Sequence, residues 1–382
     1  MKSQFLHRLY EPDSPVASVY LDTSRDIDDP DRAIELRWRH LRENLLAHDA
    51  DPDTVTAIDT VVAGAGMDRG VVGRHGQAVF AAAGRILLDE RLAEPPTRDT
   101  ARYGTLPDVL PLVLQRAPDI PYAALSLHRV HLPGGAGNGE ELEIDHDVGR
   151  WPANRVNSTA VHRRIPLTGW APEAERILGE LANAAPDDAP ELVVIAGDPW
   201  AANTMIRLAP GHLGRRIVRL RDTDRHRPEP GRAALEHEVA MLMADRLAGR
   251  DQHRLDAFLA RRARDQDTAE GLADTTLILQ RGQAAALLIS RSLPSLPPLW
   301  VGAAPTDVAL SAADLAAFGV GYSWEADAAD ALVRAAVGTN ADLIVVPADQ
   351  AAFAEGIAVL LRYRDAGHDH EDGQTAGSAR RG

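Results

Sequence analysis

The stretch AEGIAVLLRY, residues 354–363, decides how the C-terminal part of this chain folds. Its apolar run, IAVLL, has the length and composition of a strand that is buried on both faces. Gly356 precedes the run, and glycine accepts backbone angles that let a chain turn tightly into a strand. Arg362 and Tyr363 follow it, and the sequence beyond them is polar. We therefore expect a buried strand that begins at a glycine turn and ends with Arg-Tyr at the rim of a sheet.

Composition limits the classes of protein to which the chain can belong. It has 382 residues, 45% of them hydrophobic, which suggests two or three domains with a sizeable core. No run approaches the ~20 apolar residues that a membrane span needs, and the N-terminus lacks a signal-peptide core. We expect a cytoplasmic protein. Cys is absent, which excludes disulfides, thiolate nucleophiles and Cys-based zinc sites, and we expect no cofactor and no metal.

Charge is distributed unevenly along the chain. The net charge of −15 disfavours nucleic-acid binding by default, because phosphates repel an acidic protein. Residues 150–232, however, hold 13 Arg against 10 acidic residues, a local balance of +3 that leaves −18 for the remainder. An RNA-facing middle domain would need this segregation. Chance drift along an Arg-rich chain explains it equally well.

Hydrophobic periodicity predicts an α/β fold of three α/β domains, with central mixed sheets flanked by helices. In the first domain, VASVYL reads as a strand, residues 31–48 and 53–63 as helices, and GRHGQAVFAAAGRILLDERL as two strands. The stretch TLPDVLPLVLQ reads as a connector that packs. The predicted units are an N-terminal domain at 1–118, a middle domain at 119–265, a C-terminal α/β sandwich at 266–365 and a disordered tail at 366–382.

The middle domain should begin with a hairpin, because strands flank GGAGNG at 134–139. A polar loop, 150–164, should project from this domain and pack poorly. A helix at 171–184, the strand ELVVIAGD, a helix from about 200, the strand RRIVRL and a long helical stretch at 231–265 follow. The C-terminal unit should contain helices near 268–281 and 324–336 and the strands AAALLIS, PLWVG, ADLIVVP and IAVLLRY.

Several stretches imitate catalytic or metal-binding motifs. GGAGNG resembles a phosphate loop, but a strand follows it where a phosphate site needs a helix N-terminus. His237-Glu238 begins like a zinc-protease helix, yet Met241 stands where the second His belongs. His368 and His370 lie in the polar tail. The nucleophile motif GxSxG is absent, so nothing here identifies an ordinary enzyme.

The closing stretch resembles the C-terminal strand of the archaeo-eukaryotic release factor and Pelota superfamily. VASVYLD, GRHGQAVFAAAG and LPDVLPLVL before YAALSLHR, in that order, are similar to the bacterial branch of this superfamily. That branch includes the mycobacterial dormancy-associated type, the Balon-like ribosome hibernation factors and relatives of the Vms-type peptidyl-tRNA hydrolases. The resemblance covers about residues 10–365 and implies a release-factor type of domain arrangement.

Release factors of this superfamily hydrolyse peptidyl-tRNA with a Gly-Gly-Gln loop in the middle domain. The corresponding loop here should lie in GRWPANRVNSTAVHRRI, which has no Gly-Gly-Gln. HGQ at 75–77 and RGQ at 281–283 are better interpreted as turns into strands. The absence of Gly-Gly-Gln from this loop argues against hydrolysis of peptidyl-tRNA.

The resemblance without the Gln implies a non-catalytic factor that occupies the ribosomal A site during hibernation or stress. The expected partners are the ribosome and its RNA, with elongation factor Tu as a further candidate, and neither a membrane nor DNA. Arg and Asn suit contacts to phosphates and splayed bases. The candidate RNA-binding residues are Arg150, Asn154, Arg155, Asn157, His162, Arg163, Arg164, Arg215, Arg216, Arg219, Arg221 and Arg225.

Two other hypotheses stay open at this point. The chain could be a peptidyl-tRNA hydrolase with a divergent loop, in which His162 or Asn157 would be the polar candidates. It could also be a protein-interaction adaptor whose acidic surface avoids RNA. A solvated strand edge, with Arg paired to Asp222 and Asp224, is the alternative interpretation of the second Arg cluster.

Overall fold

The structure is a computed structural model of the chain. The residues that it describes are 1, 3–12, 14–67, 73–131, 140–157, 160–220, 231–244, 246–264 and 266–362. The GGAGNG turn, Arg221, Arg225, Tyr363 and the predicted tail lie outside them.

The N-terminal part forms a four-stranded antiparallel sheet with two helices on one face. A 3-10 helix at Gln4–Leu9 comes first, and the main elements are β1 Val16–Asp22, α1 Pro30–Ala47, α2 Pro52–Met67, β2 Gly76–Ala82, β3 Arg85–Leu92 and β4 Thr100–Gly104, with strand order β3-β2-β1-β4. The apolar stripe of α1, which includes Ile34 and Trp38, packs on Ala17 and Val19 of β1. The predicted strand VASVYL and both predicted helices are confirmed.

The connector to the middle part contains a short helix, α3 Leu110–Arg116. Pro111 stands in its first turn, where proline is tolerated because that N–H has no partner within the helix. Val109, Leu112 and Val113 are fully buried. The prediction of a connector that packs against the core is confirmed. The helix α3 within this connector was not predicted.

The middle part forms a five-stranded mixed sheet of order β7-β6-β5-β8-β9. Its elements are β5 Ile120–His131, β6 Glu140–Trp151, α4 Asn154–Asn157, β7 Val161–Pro166, α5 Trp170–Ala182, β8 Leu192–Gly197, α6 Pro199–Leu208, α7 Gly211–Gly214, β9 Ile217–Arg219 and α8 Gly231–Met243. The strands β5 and β6 pair antiparallel, as the predicted hairpin requires, while β8 pairs parallel with β5 and β9. Helices α5 and α6 cover one face and α8 covers part of the other.

The C-terminal part combines a four-stranded sheet with a small three-stranded one. Its elements are α9 Gly249–Arg262, β10 Thr268–Glu270, α10 Leu272–Gln280, β11 Ala284–Ser290, β12 Leu299–Val301, β13 Val308–Ala309, α11 Ala312–Ala317, β14 Trp324–Ala326, α12 Ala328–Gly338, β15 Asp342–Val346 and β16 Ile357–Leu361. The strand orders are β10-β16-β11-β15 and β13-β12-β14. One apolar cluster runs from this part into the N-terminal sheet, joining Leu287 and Leu332 to Tyr20 and Phe80.

The closing strand β16 lies inside the larger C-terminal sheet. Ala358 and Leu360 face the side of α9, whereas Ile357 and Val359 face the cluster that includes α12. Gly356 has a φ of +75°, so the glycine turn into the strand is confirmed. At the other end, the Arg362 amide donates to the Gln283 carbonyl at 2.8 Å. The strand therefore fills the sheet, and its Arg ties the rim to a neighbouring turn.

Three helix predictions need correction. The predicted helix 231–265 is two helices: α8 ends at Met243, and α9 begins at Gly249, whose amide donates to Glu191 at 2.7 Å. In the ranges predicted as helices near 268–281 and 324–336, the first three residues form the strands β10 and β14, and the helix follows. Gly271, with a φ of +80°, and the cap residue Asp327 set the true starts of α10 and α12.

The prediction for 150–164 is wrong in its first half. Trp151, Asn154 and Val156 are buried, and α4 packs against β6. The second half is the edge strand β7.

The α/β class with mixed sheets flanked by helices is confirmed. Each sheet falls within one of the three predicted ranges, and the domain limits themselves stay a prediction. No helix in the described part of the chain is long and apolar enough to cross a membrane.

Candidate nucleic-acid interface

The most exposed basic strand of the middle sheet is its edge strand, β7. It pairs with β6 on one side only, and five of its six residues, 161–164 and 166, are exposed. Because side chains alternate along a strand, Arg163 points to the α5 side and His162 and Arg164 point to the opposite side. Three basic side chains therefore lie at one edge of the sheet.

Each of these side chains has an acidic neighbour. Arg163 contacts Glu173 at 3.2 Å, and Arg164 contacts Glu143 at 3.2 Å. The two Arg side chains are 47% and 52% exposed. Ion pairs this exposed contribute about 0–1 kcal/mol. The carboxylates therefore do not fix the guanidinium groups, which can exchange them for a stronger anionic partner.

His162 lies between two carboxylates. Its Nδ1 is 2.8 Å from Asp145 Oδ1, and its Nε2 is 3.2 Å from a Glu143 oxygen. Both ring nitrogens face carboxylate oxygens, and these two contacts orient the imidazole.

Arg150 has a structural role. Its Nε contacts Asp119 Oδ1 at 2.7 Å, and its Nη2 donates to the Asp119 carbonyl at 2.9 Å. A further bond joins Nη1 to the Asp187 carbonyl at 2.9 Å. The guanidinium is thus committed to the start of β5 and to a neighbouring loop.

Asn154 is 6% exposed and also serves packing. Its Nδ2 donates to Asp147 Oδ2 at 2.8 Å and to the Tyr122 hydroxyl at 3.3 Å. A Cβ at Gly149 would lie 2.1 Å from Asn154 Oδ1, so only glycine fits there. RNA cannot reach this amide in the described arrangement.

Arg155 and Asn157 face the N-terminal sheet. Arg155 pairs with Glu94 and lies over the Trp151 ring at 5.6 Å. Arg91 of β3 donates to the Val156 carbonyl at 3.4 Å. The α4 segment therefore forms part of the seam between the middle and N-terminal sheets.

The second Arg cluster lies at the opposite edge, beside β9. Four strand spacings separate β9 from β7, roughly 19 Å. Arg216 donates to the Pro190 carbonyl at 2.9 Å and Arg219 to Asn203 at 3.1 Å, while Arg215 is exposed. The structure does not bring the two clusters together.

A polar pocket in the N-terminal sheet was not predicted from the sequence. HGQ at 75–77 does turn into a strand, but His75 and Gln77 are both 6% exposed and line a cavity of about 500 Å³. The sequence did hold a signal for this pocket: His75 and Gln77 are two polar residues, one position apart, at the start of an otherwise apolar strand. RGQ at 281–283 is a turn, as predicted, in which Gly282 has a φ of +67°. Within the described residues, no group of His, Asp or Glu could hold a metal ion.

Residues 123–264 match the family model of bacterial archaeo-eukaryotic release factor family 2. The match spans the middle sheet together with α5, α6, α8 and α9. This part of the chain is therefore similar to the bacterial branch of the release factor superfamily. The resemblance inferred from the sequence is confirmed at this level, and the subtype stays a prediction.

One relative covers nearly the whole chain. The uncharacterised protein Rv2629 of Mycobacterium tuberculosis strain H37Rv is 27% identical over 398 residues, which include 95% of this chain and 97% of the relative. Its counterpart in strain CDC 1551, MT2704, gives the same figures.

Solved structures that are similar to this chain come from archaea and yeast. Pelota of Archaeoglobus fulgidus is 10% identical with a TM-score of 0.35, over 95% of this chain and 92% of that one. Dom34 of S. cerevisiae, a translation termination-like factor interacting with Hbs1, is 11% identical with a TM-score of 0.38, over 77% and 81%. A ribosome-bound archaeal Pelota, described together with ABCE1, is 10% identical with a TM-score of 0.37, over 95% and 94%.

Proposed function

We propose that this protein is a non-catalytic ribosome-binding factor that occupies the A site, in hibernation or stress. The observation that carries the proposal is the release-factor match of the middle domain combined with the absence of Gly-Gly-Gln after its hairpin. A domain of this family that lacks the hydrolytic Gln can still bind the ribosome, but it lacks the residue that positions water for hydrolysis of peptidyl-tRNA.

The ribosomal contact in this proposal is the edge strand β7. Arg163 and Arg164 are about half exposed, and their carboxylate partners hold them weakly. Arg binds phosphate with two parallel hydrogen bonds, which gives it an advantage over its present single contacts. His162 adds a donor on the same face as Arg164. The cluster at β9 is a second, separate contact in this proposal, through Arg215 and Arg219.

The non-catalytic character is supported by the surroundings of the two polar candidates. His162 lies at an exposed strand edge, and the groups that face its two ring nitrogens are the carboxylates of Glu143 and Asp145, neither of which is a hydroxyl or thiol nucleophile. Asn157 lines the cavity at the seam with the N-terminal sheet. The two side chains therefore belong to different surfaces, which argues against a joint role in hydrolysis.

Ribosome co-sedimentation and a peptidyl-tRNA assay together test the proposal. We expect the protein to sediment with vacant ribosomes, to be displaced by aminoacyl-tRNA delivered to the A site, and to release no nascent peptide above background. Sedimentation that A-site tRNA does not affect would contradict A-site occupancy. Peptide release that is lost in His162→Ala or Asn157→Ala would instead establish the hydrolase alternative. Failure to sediment under any condition would favour the adaptor hypothesis.

A further inference from the structure

Helix α6 presents an exposed tryptophan at the carboxyl edge of the middle sheet. Strands β5, β8 and β9 run parallel, so their carboxyl ends meet at one edge. Arg129 lies two residues beyond the last β5 residue that pairs with β8, Trp200 lies three residues beyond the end of β8, and Arg219 ends β9. Open α/β sheets bind their ligands outside the carboxyl ends of the strands. This edge is therefore a place where a ligand is expected.

Close contact between β5 and β8 holds Trp200 beside Arg129. Gly197 ends β8 with a φ of +98°, and a Cβ there would lie 2.0 Å from the Leu127 carbonyl oxygen, so only glycine allows this approach. The next residue, Asp198, caps α6 and accepts from Arg129 Nε at 3.0 Å. The Arg129 guanidinium lies over the Trp200 ring, 5.8 Å from its centroid. The rest of the indole is open, and Trp200 is 46% exposed.

Polar and basic side chains share the exposed face of α6 with Trp200. Asn203 and Arg207 follow it by three and seven residues, which places all three on one face of the helix, and all three are exposed. Arg219 donates from Nη1 to Asn203 Oδ1 at 3.1 Å, so the end of β9 joins the same surface. We call the surface formed by Arg129, Trp200, Asn203, Arg207 and Arg219 the α6 strip.

The basic groups of the α6 strip differ in their partners. Arg129 pairs with Asp198 at 3.0 Å and with Glu140 at 3.1 Å, and these contacts hold it in place. Within the described part of the chain, Arg207 and Arg219 have no carboxylate within ion-pair distance. The strip with its neighbours thus has three Arg against two carboxylates, and two of the three guanidinium groups are available to an anion. An exposed aromatic ring beside available Arg side chains is the combination that binds single-stranded nucleic acid.

We propose that the α6 strip binds single-stranded RNA, with an unpaired base stacked on Trp200 and neighbouring phosphates on Arg207 and Arg219. Every base has a π-face that can stack on an indole, and Arg binds phosphate with two parallel hydrogen bonds. Trp200 and Arg207 are about 10 Å apart along the helix axis, so one strand can contact both. The inference rests on the proposed function, because it names the RNA feature that the second ribosomal contact, beside β9, recognises.

Fluorescence anisotropy of a labelled single-stranded adenosine octamer, titrated with the full chain, tests the proposal. We expect saturable binding at low salt that weakens as salt rises. Trp200→Leu should weaken binding about tenfold, the loss expected when one base no longer stacks. Trp200→Phe should keep most of the affinity, because Phe retains a π-face. An abasic octamer with the same number of phosphates should bind about tenfold more weakly than the adenosine octamer.

Phe318→Leu is the matched control, since Phe318 is an exposed aromatic residue of the C-terminal part in a segment, residues 292–333, without Lys or Arg. It should bind the octamer like the unaltered chain. Equal affinities of the Trp200→Leu and Phe318→Leu variants, or of the unaltered chain for the two octamers, would overturn the proposal.

Ribosome co-sedimentation of the same variants separates this inference from the proposed function. Sedimentation of the unaltered chain without octamer binding would reject the inference alone. Octamer binding that depends on Trp200, without sedimentation, would support the inference and reject the ribosomal function. Weaker sedimentation of Trp200→Leu with unchanged octamer binding would also overturn the inference, and it would indicate a ribosomal protein as the partner of this face.

Discussion

Gly356 holds the entry to β16 in a conformation that only glycine adopts without strain. Its φ is +75°, and a Cβ added there would lie 2.9 Å from Pro294 Cδ and 3.1 Å from Leu293 Cδ1. Both the backbone angle and the space therefore exclude a side chain. This residue allows the tight turn from which the last strand enters the C-terminal sheet.

Gly356→Ala should lower the free energy of unfolding by about 1–3 kcal/mol, because the new side chain meets strain and a clash together. Urea unfolding followed by tryptophan fluorescence measures the decrease. Gly169→Ala is the control, since φ there is −85° and nothing lies within 4 Å of its added Cβ. Comparable decreases in both variants would show that the glycine turn has no special importance.

Asp330 is a buried carboxylate where α12 meets the N-terminal sheet. It accepts from the Val109 amide at 3.0 Å, and Arg102 lies 3.7 Å from its other oxygen. Burial, and next the nearby charges of Asp108 and Asp327, raise the pKa of Asp330 well above its ordinary value. Ionisation of Asp330 therefore costs more free energy in the folded protein than in the unfolded chain.

The pH dependence follows from the sign of this shift. As pH falls, the folded state binds the proton before the unfolded state does, so the contribution of Asp330 to stability rises from the folded pKa down to the unfolded pKa. Asp330→Asn should raise the Tm at neutral pH by on the order of 2 °C, and the gain should shrink at acid pH. Scanning fluorimetry over a pH series measures it. A Tm that falls by the same amount at every pH would contradict the assignment.

At the scale of elements, α4 and β7 replace a single predicted loop. Strands β5 and β8 of the middle sheet were predictable because their apolar runs are nearly continuous, and α1 was predictable because its apolar residues recur at helical spacing. The α4 segment has no such period. Its order comes from tertiary contacts of Asn154 and Trp151, which sequence periodicity does not encode. The pocket at His75 was missed for the same reason, since its Asp89 comes from a neighbouring strand.

Asn154→Ala separates packing from RNA contact in this element. Removal of the buried amide leaves Asp147 and the Tyr122 hydroxyl without their donor, so we expect the free energy of unfolding to fall by about 1–3 kcal/mol. Thermal unfolding measures that change. Ribosome affinity of the remaining folded protein should be unchanged. A stable variant with weakened affinity would instead assign Asn154 to the RNA-binding surface.

At the scale of the whole molecule, acidic and basic residues are concentrated in different parts of the chain. Residues 292–333 hold five acidic residues and no Lys or Arg, whereas residues 150–232 have a balance of +3. Because the two Arg clusters lie at opposite edges of one sheet, they cannot form a single patch. Under the proposed function, we therefore expect β7 to make the main ribosome contact and the acidic residues 292–333 to face away from RNA.

The salt dependence of ribosome binding tests this central claim most directly. Arg163→Gln with Arg164→Gln should weaken binding and flatten the slope of log affinity against log salt by about 0.7–0.9 for each phosphate that is no longer neutralised. Arg32→Gln with Arg39→Gln is the matched control, since both side chains are 52% exposed and pair with Glu35. We predict that the control keeps the affinity and slope of the unaltered chain. Equal weakening in the two double variants, or no weakening in either, would contradict the assignment of ribosome contact to β7.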